Sequence, residues 1–321
     1  MMSATIQSEP VRGRNDPSPA AGADFNPDDR YIASLDRPFG PNWLDLKIGP
    51  IEMRLQGLSF GQAASLRERF RPFLTEVAVA RDAAQDLVIN FRSVEVEHFL
   101  AFPRGSGETY RMGRRGSGPR LTIWSYEFAG HLDVRNRIAT LGLVRDAGHL
   151  FDRGVENFLR VLTATFVLER GGLLVHGAGI VRDGRAFVFF GPSGSGKTTI
   201  TDLSPGDTIL SDDLTLILPA ARGYCAAGIP FGMAHHRVPQ TSAAFPIASV
   251  NRLVQSTDVY VERIAGGRAL AELGGSLPFV MQEPGQAAQA LETARRVLDV
   301  VPAHRLHFRR DGDFWKVIER L

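Results

Sequence analysis

The chain has 321 residues, 44% of them hydrophobic and 22% charged, with a net charge of +2 and one cysteine, Cys225. Such a balance supports a sizeable buried core and argues against a fully disordered or fibrous chain, and the lack of a basic excess argues against nucleic acid as a partner. No apolar run approaches the roughly 18 residues that cross a bilayer, so no membrane association is expected.

The opening MMSATIQSEPVRGRNDPSPAAG lacks the apolar stretch of a secretion signal. A lone cysteine forms no internal disulfide and fits a reducing compartment. The expected location is therefore cytoplasmic. Residues 1–30, rich in Pro, Gly, Asp, Asn, Ser and Ala, cannot bury enough surface to offset their ordering entropy and are expected to form a flexible tail.

A smaller mixed α+β domain, suited to substrate or partner binding, is expected over 31–150. Within it IEMRLQGL (51–58), LVINF (87–91) and LTIWSY (121–126) read as strands. Leu66, Phe70, Phe73 and Leu74 fall at helical spacing and predict one amphipathic helix. Residues 104–120 carry five arginines among glycines. They read as a solvated loop or hairpin, with an anion or partner contact as the alternative.

A second domain is expected over 151–321. Val155, Phe158, Leu159, Leu162, Phe166 and Val167 share one helical face that stops at Gly171 and Gly172. Two apolar strands follow, 173–181 and 185–190, joined by Asp183 and Gly184, a pair that favours a tight hairpin. Further on come strands TILS (208–211) and LTLIL (214–218), a helix over 285–298, and the closing segments HRLHF and DFWKVIERL.

The chemistry concentrates between these elements. Gly191, Pro192, Ser193, Gly194, Ser195, Gly196, Lys197 and Thr198 satisfy the phosphate-loop pattern G-x-x-x-x-G-K-[ST] at every fixed position, after an apolar strand and before helix-compatible residues beginning at Thr199. The glycines permit positive φ and close approach of backbone amides to phosphate oxygens. Those amides form an anion nest where the helix dipole also favours negative charge. Lys197 brings positive charge to the β- and γ-phosphates, and Thr198 offers a hydroxyl to Mg2+.

Asp212 and Asp213 close the strand TILS. Adjacent carboxylates point in different directions, so one can hold Mg2+ while the other accepts the proton of an attacking hydroxyl. His176, mid-strand and 21 residues before Lys197, reads either as a core histidine or as a site residue. The small Gly177, Ala178 and Gly179 beside it suggest a close backbone approach. His235, His236 and Arg237 read as a polar surface loop, with a role at the acceptor site as the alternative. Cys225, among apolar neighbours, is expected to be buried.

Taken together, LLVHGAGIVRDGRAFVFFGPSGSGKTTITDLSPGDTILSDDLTLI resembles the catalytic core of HPr kinase/phosphorylase and, more closely, the wider group of HPr-kinase-like serine kinases. The likeness covers about 150–235 well and the C-terminal LHFRRDGDFWKVI loosely. It implies an α/β fold with a P-loop kinase core of the HPr kinase and phosphoenolpyruvate carboxykinase type, preceded by the smaller mixed domain. It also implies ATP and Mg2+ as ligands, with Gly191 to Thr199 around the nucleotide and Lys197 stabilising the transferring group. Thr198 and Asp213 would serve the metal, Asp212 would be the base, and His176 would lie near the γ-phosphate.

GIPFGMAHHRVP (228–239) does not match the glycine-rich signature through which HPr kinases contact HPr. The implied acceptor is instead a hydroxyl, serine above all, on another peptide or protein; some members of the group phosphorylate a peptide encoded nearby. A small-molecule kinase and a nucleotide-gated interaction module remain alternatives, and self-association into a homo-oligomer is left open. Switch GTPases and transporter ATPases are disfavoured, because neither Asn-Lys-x-Asp nor Leu-Ser-Gly-Gly-Gln occurs.

Overall fold

The computed structural model describes residues 5–6, 32, 35–75, 86–94, 99–100, 111–116, 119–144, 149–231 and 241–320. The architecture is mixed α/β with two sheets. The chain divides into two compact units, one of Met1–Lys47 with Ile51–Val161 and the other of Ile48–Pro50 with Leu162–Leu321. The division thus falls at 161/162, within a helix, where a boundary near 151 is expected from the sequence. Apart from Thr5 and Ile6, the expected tail over 1–30 lies outside the described residues.

The first unit is built on a sheet of β1 (Thr5–Ile6), β2 (Asn42–Ile48), β3 (Ile51–Leu58), β4 (Leu87–Val94), β5 (Arg111–Arg115), β6 (Arg120–Trp124), β7 (Phe128–Asp133) and β8 (Ile138–Val144). Its order among the described residues is β1-β5-β6-β7-β8-β4-β3-β2. Strands β5 to β8 form an antiparallel meander, whereas β4 runs parallel to both β3 and β8. The arginine-rich segment contributes the β5–β6 hairpin; residues 104–110 and 117–118 lie outside the described set.

Helix α1 (Phe60–Arg69) opens with a reciprocal capping box between Ser59 and Gln62. The single helix expected through Leu74 is instead an α-helix followed by a 3₁₀ turn, Arg71–Phe73. Pro72 is the reason: its ring cannot continue the α-helical hydrogen bonding. The 3₁₀ turn still buries Phe73 beside Phe70 and Leu66, and leaves Leu74 only half-buried.

A long helix, α2 (His149–Glu169), carries the expected apolar face and stops at Gly171, whose φ is 73°. The second unit then comprises β9 (Leu173–Arg182), β10 (Arg185–Phe190), α3 (Lys197–Asp202), β11 (Thr208–Ser211), β12 (Leu214–Pro219), β13 (Tyr224–Ala227) and β14 (Ala244–Gln255). It continues with β15 (Tyr260–Ile264), α4 (Gly266–Gly274), α5 (Pro284–Val300), β16 (Ala303–Phe308) and α6 (Phe314–Ile318). Asp183 and Gly184, both at positive φ, close the β9–β10 hairpin with Arg182 opposite Arg185.

Two long strands organise this unit. The first half of β9 pairs with β12 and its second half with β10. Strand β14 likewise pairs with β13 at its start, then runs parallel to β10 and β16. The pairings β9–β12–β13–β14–β10–β9 therefore close on themselves. Strand β10 lies between β9 and β14, and its end is where the glycine loop begins.

One face of these strands packs Phe187, Phe189, Leu253, Leu306 and Phe308 against Ile200 of α3 and Phe314, Trp315 and Ile318 of α6. Trp315 meets Phe187 and Phe189 edge-on at 5.2 and 5.9 Å, and carries the Arg182 guanidinium over its ring at 3.9 Å. Its indole N–H donates to Ser204 Oγ at 3.0 Å, just past α3. The C-terminal helix thus fixes the element that follows the glycine loop. Trp315→Ala is expected to cost about 3–5 kcal/mol, read by calorimetry as a fall in Tm on the order of 10 °C.

Candidate functional site

The site is assembled at the end of β10, where Val188, Phe189 and Phe190 are buried and hold the strand rigidly beneath the glycine loop. Gly194 and Gly196 take φ of 79° and 105°, conformations that an L side chain resists. At Gly196 the space is also taken, since a Cβ would stand 2.6 Å from Phe308 Cζ. The loop is closed by the Ser195 N–H donating to the Pro192 carbonyl at 3.1 Å. Its tip is held by Gln255 Nε2, which donates to the Gly194 carbonyl at 2.7 Å.

Lys197 begins α3 and folds back over the loop, its ammonium donating to the carbonyls of Gly191 (3.0 Å) and Pro192 (3.2 Å). Only 8% of the residue is exposed. Burial pushes its pKa below the ordinary lysine value, and the negative charge of Asp213 works the other way. Beside it, the Ser195 hydroxyl is buried with no hydrogen-bond partner among the described residues. A largely desolvated cation and an unsatisfied hydroxyl in one glycine loop form a ready seat for anionic oxygens. Thr198 stands exposed one residue on, Thr199 is half-buried, and Pro192, Ser193 and Gly194 are exposed on the loop.

The aspartates lie in the turn between β11 and β12. Ser211 Oγ accepts the N–H groups of Asp213 (3.2 Å) and Leu214 (3.0 Å), so a serine side chain, rather than strand pairing, sets the turn that aims the two carboxylates. Leu214 lies opposite His176 in the β12–β9 register, which carries Asp213 to the histidine. His176 Nε2 and Asp213 Oδ1 are 3.2 Å apart. Asp212 is buried, 5% exposed.

The small residues after His176 have a packing reason. A Cβ on Gly177 would come within 2.8 Å of the Phe189 carbonyl, and Thr215 Oγ1 donates to the Gly177 carbonyl at 2.8 Å. The strand carrying His176 is thereby pressed between β10 and β12, the two strands that bear the loop and the aspartates. The structure brings Lys197, Asp213 and His176 together; it adds Gln255, Phe308 and Ser211 as supports that no sequence motif marks.

Two expectations stand apart from this site. Cys225 is half-buried rather than buried, because it lies near the open end of the short β13, with its thiol 3.6 Å from the Leu218 carbonyl. His235, His236 and Arg237 lie outside the described residues. Among the described residues no group of three or more His, Cys, Asp and Glu side chains is placed to hold a metal ion. Mg2+ at a nucleotide needs no such cage, because waters and phosphate oxygens fill most of its shell. The Thr198 hydroxyl and the Asp213 carboxylate are chemically suited to the remaining positions. Among the described residues, no helix is long and apolar enough to cross a membrane.

The family model described as SynChlorMet cassette protein ScmC matches residues 157–321, which include every residue of this site. No curated protein matches the chain.

Proposed function

We propose that this chain, which belongs to the SynChlorMet cassette protein ScmC family, is an ATP-dependent kinase that transfers the γ-phosphoryl group to a hydroxyl, serine above all, of a peptide or protein. The second unit would then be a P-loop kinase core of the type the sequence resembles, that of HPr kinase and the carboxykinases. The observation that carries the reading is the contact of His176 with Asp213 at 3.2 Å, in a turn whose carboxylate also acts on Lys197. An acid at the loop serves a bound nucleotide's metal in any case; the histidine held against it is what nucleotide binding alone does not require.

In this reading the loop amides, Lys197 and the Ser195 hydroxyl bind and orient the triphosphate. Lys197 offsets the charge that spreads over the transferring oxygens. Thr198 and Asp213 would hold Mg2+, which supplies further charge neutralisation between the phosphates when bound. Asp212 accepts the proton as the acceptor oxygen bonds to the γ-phosphorus and the bond to the bridging oxygen breaks, releasing ADP. His176 keeps Asp213 in place through its Nε2. Burial of Lys197 and Asp212 removes competing water from the charged groups.

The test is incubation of the full chain with Mg2+ and γ-labelled ATP, together with seryl peptides, including those encoded beside its gene. Label on a peptide serine, located by fragmentation mass spectrometry, is the expected result. Label confined to a sugar or free amino acid would make the protein a small-molecule kinase. Tight nucleotide binding with no ADP formed under any acceptor would leave a gating module in its place.

A further inference from the structure

The segment between α4 and α5 contains a strained residue that neither helix requires. Among the described non-glycine residues at positive φ, Arg137 and Asp183 sit in tight turns joining paired strands, where that conformation is routine. Phe279, at φ 70°, joins no strands. The Val280 N–H donates to the Pro278 carbonyl at 2.9 Å, which closes a three-residue γ-turn centred on Phe279. With positive φ this turn is rare and strained, and an aromatic side chain adds to its difficulty.

The surroundings hold the strain in place from both sides. Ser276 and Leu277 donate their N–H groups back to Leu273 (2.9 Å) and Gly274 (3.2 Å) at the end of α4. Leu277 and Val280 are buried, and Glu283 caps α5. The segment also touches the reacting region directly: the His176 N–H donates to the Ser276 carbonyl at 2.7 Å. The strained turn is thus three residues from a backbone contact on the histidine that meets Asp213. Strain of this kind gathers at functional sites, where the fold over-determines it.

Resting on the kinase reading above, we infer that Ser276–Met281 forms a wall of the acceptor site and selects an apolar residue beside the accepting serine. The side chains that the segment leaves accessible are apolar: Pro278 and Phe279 are half-buried and Met281 is exposed. Pro278 is an ordinary turn residue, but Phe279 and Met281 are not residues that a plain connection between two helices calls for. An apolar wall against the acceptor gains by covering an apolar neighbour and loses by desolvating a charged one.

Phe279→Gly tests this, because glycine adopts positive φ without steric cost and the fold is retained. The wild-type chain and the variant are each given Mg2+, γ-labelled ATP and a positional library of seryl peptides. Wild type is expected to prefer Leu, Ile, Met or Phe next to the serine over Asp or Lys by about tenfold. The glycine variant flattens that preference to within about twofold, with ATP affinity by calorimetry unchanged and a cooperative thermal transition retained, and Phe279→Leu restores it. Wild-type labelling without apolar preference, or a preference that survives in Phe279→Gly, overturns the inference alone. Absence of label on every peptide, with ATP bound, overturns the kinase reading and the inference together.

Discussion

Lys197→Ala is expected to lower phosphoryl transfer by about 10²–10³-fold, the usual loss when one positioned donor to developing charge is removed. The physical basis is the state of the ammonium before nucleotide arrives. It is buried, its pKa is depressed by that burial, and its hydrogen bonds go to two loop carbonyls rather than to a carboxylate. A charge held in this way gains more from an incoming phosphate than an exposed lysine would, because little water is left to be displaced. ATP affinity is expected to weaken by about tenfold or more, which is about 1.4 kcal/mol. Isothermal calorimetry reads the affinity and initial rates read the transfer. A variant that binds and transfers like wild type would remove the glycine loop from the mechanism.

The two aspartates separate by experiment in a way their adjacency in sequence does not permit. Asp212→Asn is expected to lower the transfer rate by about 10²–10⁴-fold with ATP affinity little changed, since the role proposed for it is to take a proton from the acceptor. Asp213→Asn is expected to weaken the Mg2+ dependence of ATP binding as well as the rate. That substitution removes the carboxylate that meets His176 and acts on Lys197. Titrations of ATP at several Mg2+ concentrations, alongside rates at saturating ATP, distinguish the two patterns. The opposite pattern exchanges the assignments, and wild-type behaviour in both variants ends the transferase reading.

Much of the second unit was legible residue by residue. The hairpin at Asp183 and Gly184 follows from a dipeptide that takes positive φ, and its strands align as that turn requires. The glycine loop was legible because positive φ, close packing and a following lysine each demand particular residue types at fixed spacing. In the first unit the strands expected over 51–58 and 87–91 form with their apolar alternation, the second running on to Val94, whereas the α-helix after Ser59 ended early, at Arg69, ahead of Pro72. The closed circuit of pairings through β9, β12, β13, β14 and β10 was not legible. Nothing in the twelve residues of β14 says that its first part will pair with one neighbour and the rest with others.

Local spacing was enough to place the glycine loop, the hairpin before it and the turn that carries the acidic pair, because each depends on the conformational limits of a few consecutive residues. Tertiary structure alone decided that Asp213 meets His176 from a turn 37 residues away, that Gln255 and Phe308 hold the loop, and that the carbonyl three residues before the strained Phe279 accepts the His176 N–H. Those contacts come from strand register and from side chains competing for the same buried space. Neither leaves a periodic trace in the order of residues.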